Sequence, residues 1–259
     1  MPVLVSSLAF AACSRSSPQR EPARETVVVA AASSSVEAFN EIAHAFEEAT
    51  GMSVKISYGS SGLLAKQINA GAPYDLFAAA NSSYIDEVSA SGVCEAASKT
   101  IYAGGRLVMW SKANRVAPPK DLHDLVDLRF RRIALANPEH APYGQAAKEA
   151  LQAAGIWDLV QSRIVYGENI RQALNFAETG NADVALTAYA LVLHDTANPW
   201  TLVGNEGHRA LEQAMTLCSH GSNHDGAKSL MQFIQSAQGR AILNKHGFRT
   251  SELRSSDSP

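Results

Sequence analysis

Residues 27–39 read VVVAAASSSVEAF. Three β-branched valines suit a buried strand. They run into three alanines and three serines, and a helical pattern begins at once. A row of hydroxyls at a strand-to-helix junction has two readings. A serine at an N-cap satisfies a backbone N–H that the helix leaves unpaired. A helix N-terminus that follows a strand is also a seat for an anion, because its free N–H groups and its dipole both favour negative charge. One junction does not separate the two, so the rest of the chain has to.

Outward from this stretch, strands and helices alternate, which implies an α/β fold with largely parallel sheets. Residues 35–49 carry Phe39, Ile42, Ala43 and Phe46 on one helical face. GMSVKISYG is the next strand, and SSGLLAKQINAG a helix with Leu63, Leu64 and Ile68 as its buried stripe. YDLFAAA and RLVMWSK read as strands, and DLHDLVDL as a helix. RRIALANPEHAPYGQAAKEALQAAG and SRIVYGENIRQALNFAETG each repeat strand, small polar turn and helix. VALTAYALVL and EQAMTLCSH are further strands, and residues 226–248 form a helix pair or one bent helix. Four junctions, AAASSSVEAF, YGSSGLLAKQI, ANPEHAPYGQAAKEAL and VYGENIRQAL, therefore place serine or small residues where N–H groups are exposed. In open α/β sheets ligands lie beyond the carboxyl ends of strands. Convergence of several such junctions on one cleft is something capping alone does not explain.

At 259 residues the chain suffices for one large domain or two moderate lobes. A hydrophobic content of 46% with 18% charged residues is that of a globular protein, and a net charge of −3 does not suit nucleic acid or an anionic membrane. Residues 1–25 differ in character: MPVLVSSLAFAAC resembles the end of a secretory signal, and the polar segment after it reads as a flexible arm. FAAC is similar to a bacterial lipobox, which makes Cys13 a candidate for lipidation. The chain is thus expected to be exported, to a periplasmic or extracytoplasmic location and with a lipid anchor if Cys13 is modified. Cys94 and Cys218 are then either a disulfide or two buried thiols, and their spacing does not decide between these.

Catalytic and cofactor motifs are missing. There is no GxSxG elbow, no GxGxxG and no GxxxxGK[ST] loop. An exported hydrolase built on Ser61 would need a histidine and an acid that the sequence does not nominate. His220, His224 and Asp225 lie close together in SHGSNHDG, but a glycine- and asparagine-rich surface loop accounts for them. His140, in PEHAPYG, either touches a ligand at its junction or braces the loop. The balance favours binding over catalysis, with no cofactor.

The segments YGSSGLLAKQINAGAPYDLFAAA, ANPEHAPYGQAAKEALQAAGIWD and ENIRQAL, with AAAS before them and HGF near the end, resemble the molybdate-binding proteins of bacterial ABC importers over residues 26–249. The resemblance implies a type II periplasmic binding protein, an α/β fold of two lobes with mixed, mostly parallel sheets and the ligand cleft between them. The lobes would be 26–104 with 216–259, and 105–215. It further implies a molybdate or tungstate dianion held by neutral donors, from Ser33 and Ser61 in one lobe and the backbone N–H groups of Tyr143 and Ile170 in the other. Relatives add a tyrosine hydroxyl, for which Tyr189 is the candidate, although ungapped spacing from Ile170 lands on Ala188. The partners implied are an ABC permease and its ATPase, and the chain is expected to be monomeric. Another oxyanion, such as sulfate, thiosulfate or phosphate, is the alternative ligand class.

Overall fold

A computed structural model of the chain describes residues 25–250. The signal-like segment with Cys13, and the tail from 251 onward, lie outside the described residues. In chain order the strands and helices are β1 (Thr26–Ala32), α1 (Val36–Thr50), β2 (Ser53–Gly59), α2 (Ser61–Asn69), β3 (Leu76–Ala79), α3 (Ser82–Ala90), β4 (Thr100–Gly104), β5 (Leu107–Trp110) and β6 (Ile133–Ala136). They continue as α4 (Pro142–Ala153), α5 (Trp157–Val160), β7 (Ile164–Gly167), α6 (Ile170–Glu178), β8 (Val184–Ala188), β9 (Trp200–Leu202), β10 (Glu212–Leu217), α7 (His224–Gln235) and α8 (Ala237–Lys245).

The strands form two five-stranded sheets, β2-β1-β3-β10-β4 and β7-β6-β8-β5-β9. In each, four strands run one way and the fifth, β10 or β5, runs antiparallel to its neighbours on both sides. The two lobes therefore share one topology. The chain leaves the first sheet between β4 and β5 through Gly105 and Arg106, and returns with β10, which begins at Glu212, ahead of the expected return at 216.

Side-chain alternation gives the first sheet a core on each face. Val27, Val29 and Ala31 of β1, with Leu76 and Ala78 of β3, join Phe39, Ile42 and Phe46 of α1 and Leu230, Ile234 and Leu243 of α7 and α8. Ala30, Phe77 and Ala79 face the other way, onto Leu64 and Ile68 of α2 and Ile85 and Val88 of α3. Leu63, expected in the buried stripe, is only half-buried. The second lobe has a continuous core that includes Trp110, Phe130, Leu135, Leu151 and Leu174.

Residues 121–128 do not make the expected helix; a single 3-10 turn spans His123–Val126. The Arg163 guanidinium donates to the carbonyls of Leu125, Val126, Asp127 and Phe130, so those acceptors serve a side chain and not a growing helix. At the chain's end the helix pair is two separate helices, with Ser236 closing α7 and capping α8. Cys94 and Cys218 form a disulfide. It joins the loop after α3 to the end of β10, where Leu217 pairs with Leu76 at the start of β3.

Candidate functional site

All four sequence junctions meet at one cavity between the lobes. Its wall is Ala32, Ser33 and Ser34 after β1, Gly59, Ser60 and Ser61 after β2, Ala80 after β3, Ala141, Pro142 and Tyr143 after β6, and Ile170 after β7. No charged side chain is among them. The space is about 190 Å³. That suits a small polyatomic ion and is too tight for a sugar or a peptide.

Of the four helix ends at the cavity, those of α1, α2 and α4 lack a side-chain cap, while α6, whose Ile170 also lines the wall, is capped by Asn169. Asn81, Asn169, Asn223 and Ser236 cap α3, α6, α7 and α8 by accepting from a backbone N–H two or three residues on. The N-caps of α1, α2 and α4, which are Ser35, Ser60 and Ala141, make no side-chain cap. Ser35 Oγ instead donates to the Ala32 carbonyl at 2.7 Å, and Ser60 Oγ lies 2.8 Å from His140 Nδ1. Ser61 opens α2, and Pro142 with Tyr143 opens α4, so Ser61 and Tyr143 N–H stand in the first turn, where no intrahelical carbonyl serves them. Pro142 loses nothing there, since proline at the first helical position lacks only a donor that would be unpaired.

Ser61 is fully buried, and its Oγ accepts from Ala80 N–H at 3.0 Å, which leaves its own proton to be donated. Ser34 Oγ is buried without a hydrogen-bond partner. Sequence reasoning missed this residue; the signal for it was the run of three serines, more than one cap needs. The Tyr143 side chain reaches the crossover, where a Cβ on Gly105 would collide with its hydroxyl. That hydroxyl and Ser34 Oγ are near one another without the geometry of a bond. Burial pushes the Tyr143 phenol far above the usual tyrosine range, with Ser34 and Arg106 pulling the other way, so it stays neutral.

Tyr189 is not brought to this wall, and neither is Ala188. Its ring lies under the Arg106 guanidinium at 4.0 Å, meets Trp200 edge-on at 4.8 Å and abuts Gly247. These neighbours hold it at the crossover. His140 does brace its loop, and it does so across the cleft; burial lowers its basicity, Lys66 acts in the same sense, and Glu168 and Glu139 oppose them. His220, His224 and Asp225 gather no metal-ligand cluster among the described residues, and His224 pairs with Glu95 instead.

The family model for bacterial extracellular solute-binding proteins matches residues 27–249. The chain belongs to that family. This solute-binding protein is 32% identical over 227 residues to the molybdate-binding protein ModA of Rhodobacter capsulatus, covering 86% of this chain and 88% of that one. It is 29% identical over 254 residues, 95% of either chain, to a putative ABC transporter substrate-binding lipoprotein of Bacillus subtilis. Its fold superposes on the periplasmic molybdate-binding protein of Azotobacter vinelandii with a TM-score of 0.80 and 28% identity, over 86% of this chain and 98% of that one. The two-lobed binding-protein fold expected from the sequence is therefore present.

Proposed function

We propose that this solute-binding protein captures molybdate, and by the same chemistry tungstate, outside the cytoplasm and delivers it to an ABC permease and its ATPase. The observation that carries this reading is the set of three uncapped helix N-termini, those of α1, α2 and α4, aimed from both lobes at a cavity whose wall offers only neutral groups. The relatives named for molybdate supply the identity of the anion.

Moving an isolated dianion out of water costs tens of kcal/mol. About five to eight charge-assisted hydrogen bonds, each worth roughly 1.5–3 kcal/mol, offset much of that. Helix N-termini contribute about 0.3–2 kcal/mol apiece where partly buried. The donors proposed are Ser33, Ser34 and Ser61 from the first lobe, through hydroxyl and N–H, and the N–H groups of Tyr143 and Ile170 from the second. Tyr189 has no part in this set. Because no fixed positive charge is present to hold any anion, selection falls to cavity size and donor placement. A protonated oxyanion would bring a hydrogen against a donor, with no acceptor to receive it.

Neither lobe alone surrounds the anion, so the ligand favours the state in which both contribute, which is a population shift towards closure. The chain works as a monomer and makes or breaks no bond. A hydrolase reading finds no support at Ser61, since its Oγ faces Ala80 N–H and the nearby imidazole goes to Ser60. Cys13 is proposed as the lipid attachment point, in keeping with the lipoprotein named among the relatives. Competition calorimetry with molybdate, tungstate, sulfate, thiosulfate and phosphate tests the assignment. Tight binding of the first two with at least a hundredfold weaker sulfate, about 2.7 kcal/mol, is the expected result. Preference for sulfate, thiosulfate or phosphate would transfer the protein to that ligand class.

A further inference from the structure

His140 belongs to the second lobe, in the turn ahead of α4, yet both of its polar contacts outside that turn are to the first lobe. Its Nδ1 lies 2.8 Å from Ser60 Oγ, and its carbonyl accepts Gly62 N–H at 2.9 Å. The turn that presents it is itself fixed: Asn137 N–H donates to the Gly167 carbonyl, Ala141 N–H to the Asn137 carbonyl, and Glu139 N–H to Asn137 Oδ1. The receiving surface is shaped for close approach. A Cβ on Gly62 would stand 2.8 Å from the His140 carbonyl oxygen and 2.9 Å from both His140 Cβ and Tyr84 Cε1. Glycine at 62 is thus a requirement of lobe-to-lobe contact as well as of the packing of Tyr84 from α3, since the position lies inside α2 and its backbone conformation asks for nothing unusual.

Neither His140 nor Gly62 lines the cavity, and both flank residues that do. The carbonyl of His140 occupies the Gly62 amide, leaving the neighbouring Ser61 N–H to face inward. The ring occupies Ser60 Oγ, the hydroxyl that would otherwise cap α2. One residue therefore ties the lobes together at the rim and settles which first-turn donors of α2 remain for the anion.

We infer that His140 is the closure latch of this protein, a positioning residue that sets how long a captured oxyanion is retained without touching it. The inference rests on the proposed oxyanion capture. Its chemistry is that of a reversible clasp: two hydrogen bonds form when the lobes meet and are exchanged for water when they part. Loss of the ring contact raises the dissociation rate by about tenfold, the equivalent of one hydrogen bond of about 1.4 kcal/mol, with the association rate unchanged.

The test is stopped-flow binding of molybdate and tungstate to wild type, His140→Ala, His140→Asn and Gly62→Ala, with ligand-free melting curves alongside. The latch predicts faster dissociation for His140→Ala, recovery in His140→Asn, whose amide can reach Ser60, and the largest effect for Gly62→Ala, which obstructs both contacts. Ligand-free melting temperatures of the two His140 variants stay at the wild-type value, whereas Gly62→Ala also meets Tyr84 within its own lobe and is read by its dissociation rate alone. Wild-type dissociation rates in His140→Ala and Gly62→Ala overturn the latch while leaving oxyanion capture intact. So does, in His140→Ala, an equal fall in ligand-free and ligand-bound melting temperature, which marks a purely structural residue. Absence of binding by the wild type overturns the capture reading and the latch with it.

Discussion

Ser34 and Ser61 look interchangeable in sequence, but their surroundings set different consequences for losing the hydroxyl. Ser34 Oγ has no partner, whereas Ser61 Oγ accepts from the buried Ala80 N–H. Ser34→Ala is expected to weaken molybdate binding by about 1–3 kcal/mol while ligand-free stability is unchanged. Ser61→Ala should weaken binding by a similar amount and also lower ligand-free stability by about 1–3 kcal/mol, because it strands the Ala80 amide. Calorimetry and thermal melts on both variants separate the two. Ser61 was readable from the YGSSGLL junction after β2, whereas Ser34 was passed over in the serine row after β1; which hydroxyl was already committed was not readable, since Ala80 lies far from Ser61 in sequence. Tyr189 shows the same limit. The resemblance made it the candidate ligand although ungapped spacing fell on Ala188, while Arg106, Trp200 and Gly247, each distant along the chain, decide where its ring rests.

At the scale of elements, the four junctions were legible because each combines a local apolar strand pattern with small residues at a helix start. The segment 121–128 was not, because a guanidinium from residue 163 competes for its carbonyls, and nothing local announces that. Helix contacts can also depend on pH. Glu41 of α1 accepts from Lys245 of α8 and from the adjoining His246, and these bonds, Lys245 first, hold its carboxyl below the usual glutamate range. A carboxyl depressed on folding adds stability that is present above its unfolded value and fades as pH drops through the folded one. Wild type should therefore lose stability faster than Glu41→Gln as pH falls below 4.5, the ordinary value for the group. Thermal melts across that range give the comparison; parallel curves would show that the α1–α8 contact carries no such linkage.

For the molecule as a whole, the matching topologies of the two sheets put the carboxyl ends of β1, β2 and β3 opposite those of β6 and β7, which is why one cavity collects every junction. The Cys94–Cys218 disulfide sits at the other end of the first sheet, near Leu76 and Leu217. Its reduction should cost about 2–5 kcal/mol of stability by freeing the unfolded chain. Molybdate affinity, measured below the melting range, should be the same with and without reductant. A change in affinity would mean that the bond shapes the cavity as well as the fold.

That bond also has a topological effect. It fastens the chain just before it departs for the second lobe to the chain just after it comes back, so that lobe is carried on a covalently sealed ring. A protease outside the cell that clips an exposed loop there produces a nicked molecule whose fragments stay attached, and the cut ends remain on the same framework. Shed from the cytoplasm's repair systems, an exported carrier built this way survives a single scission as one particle.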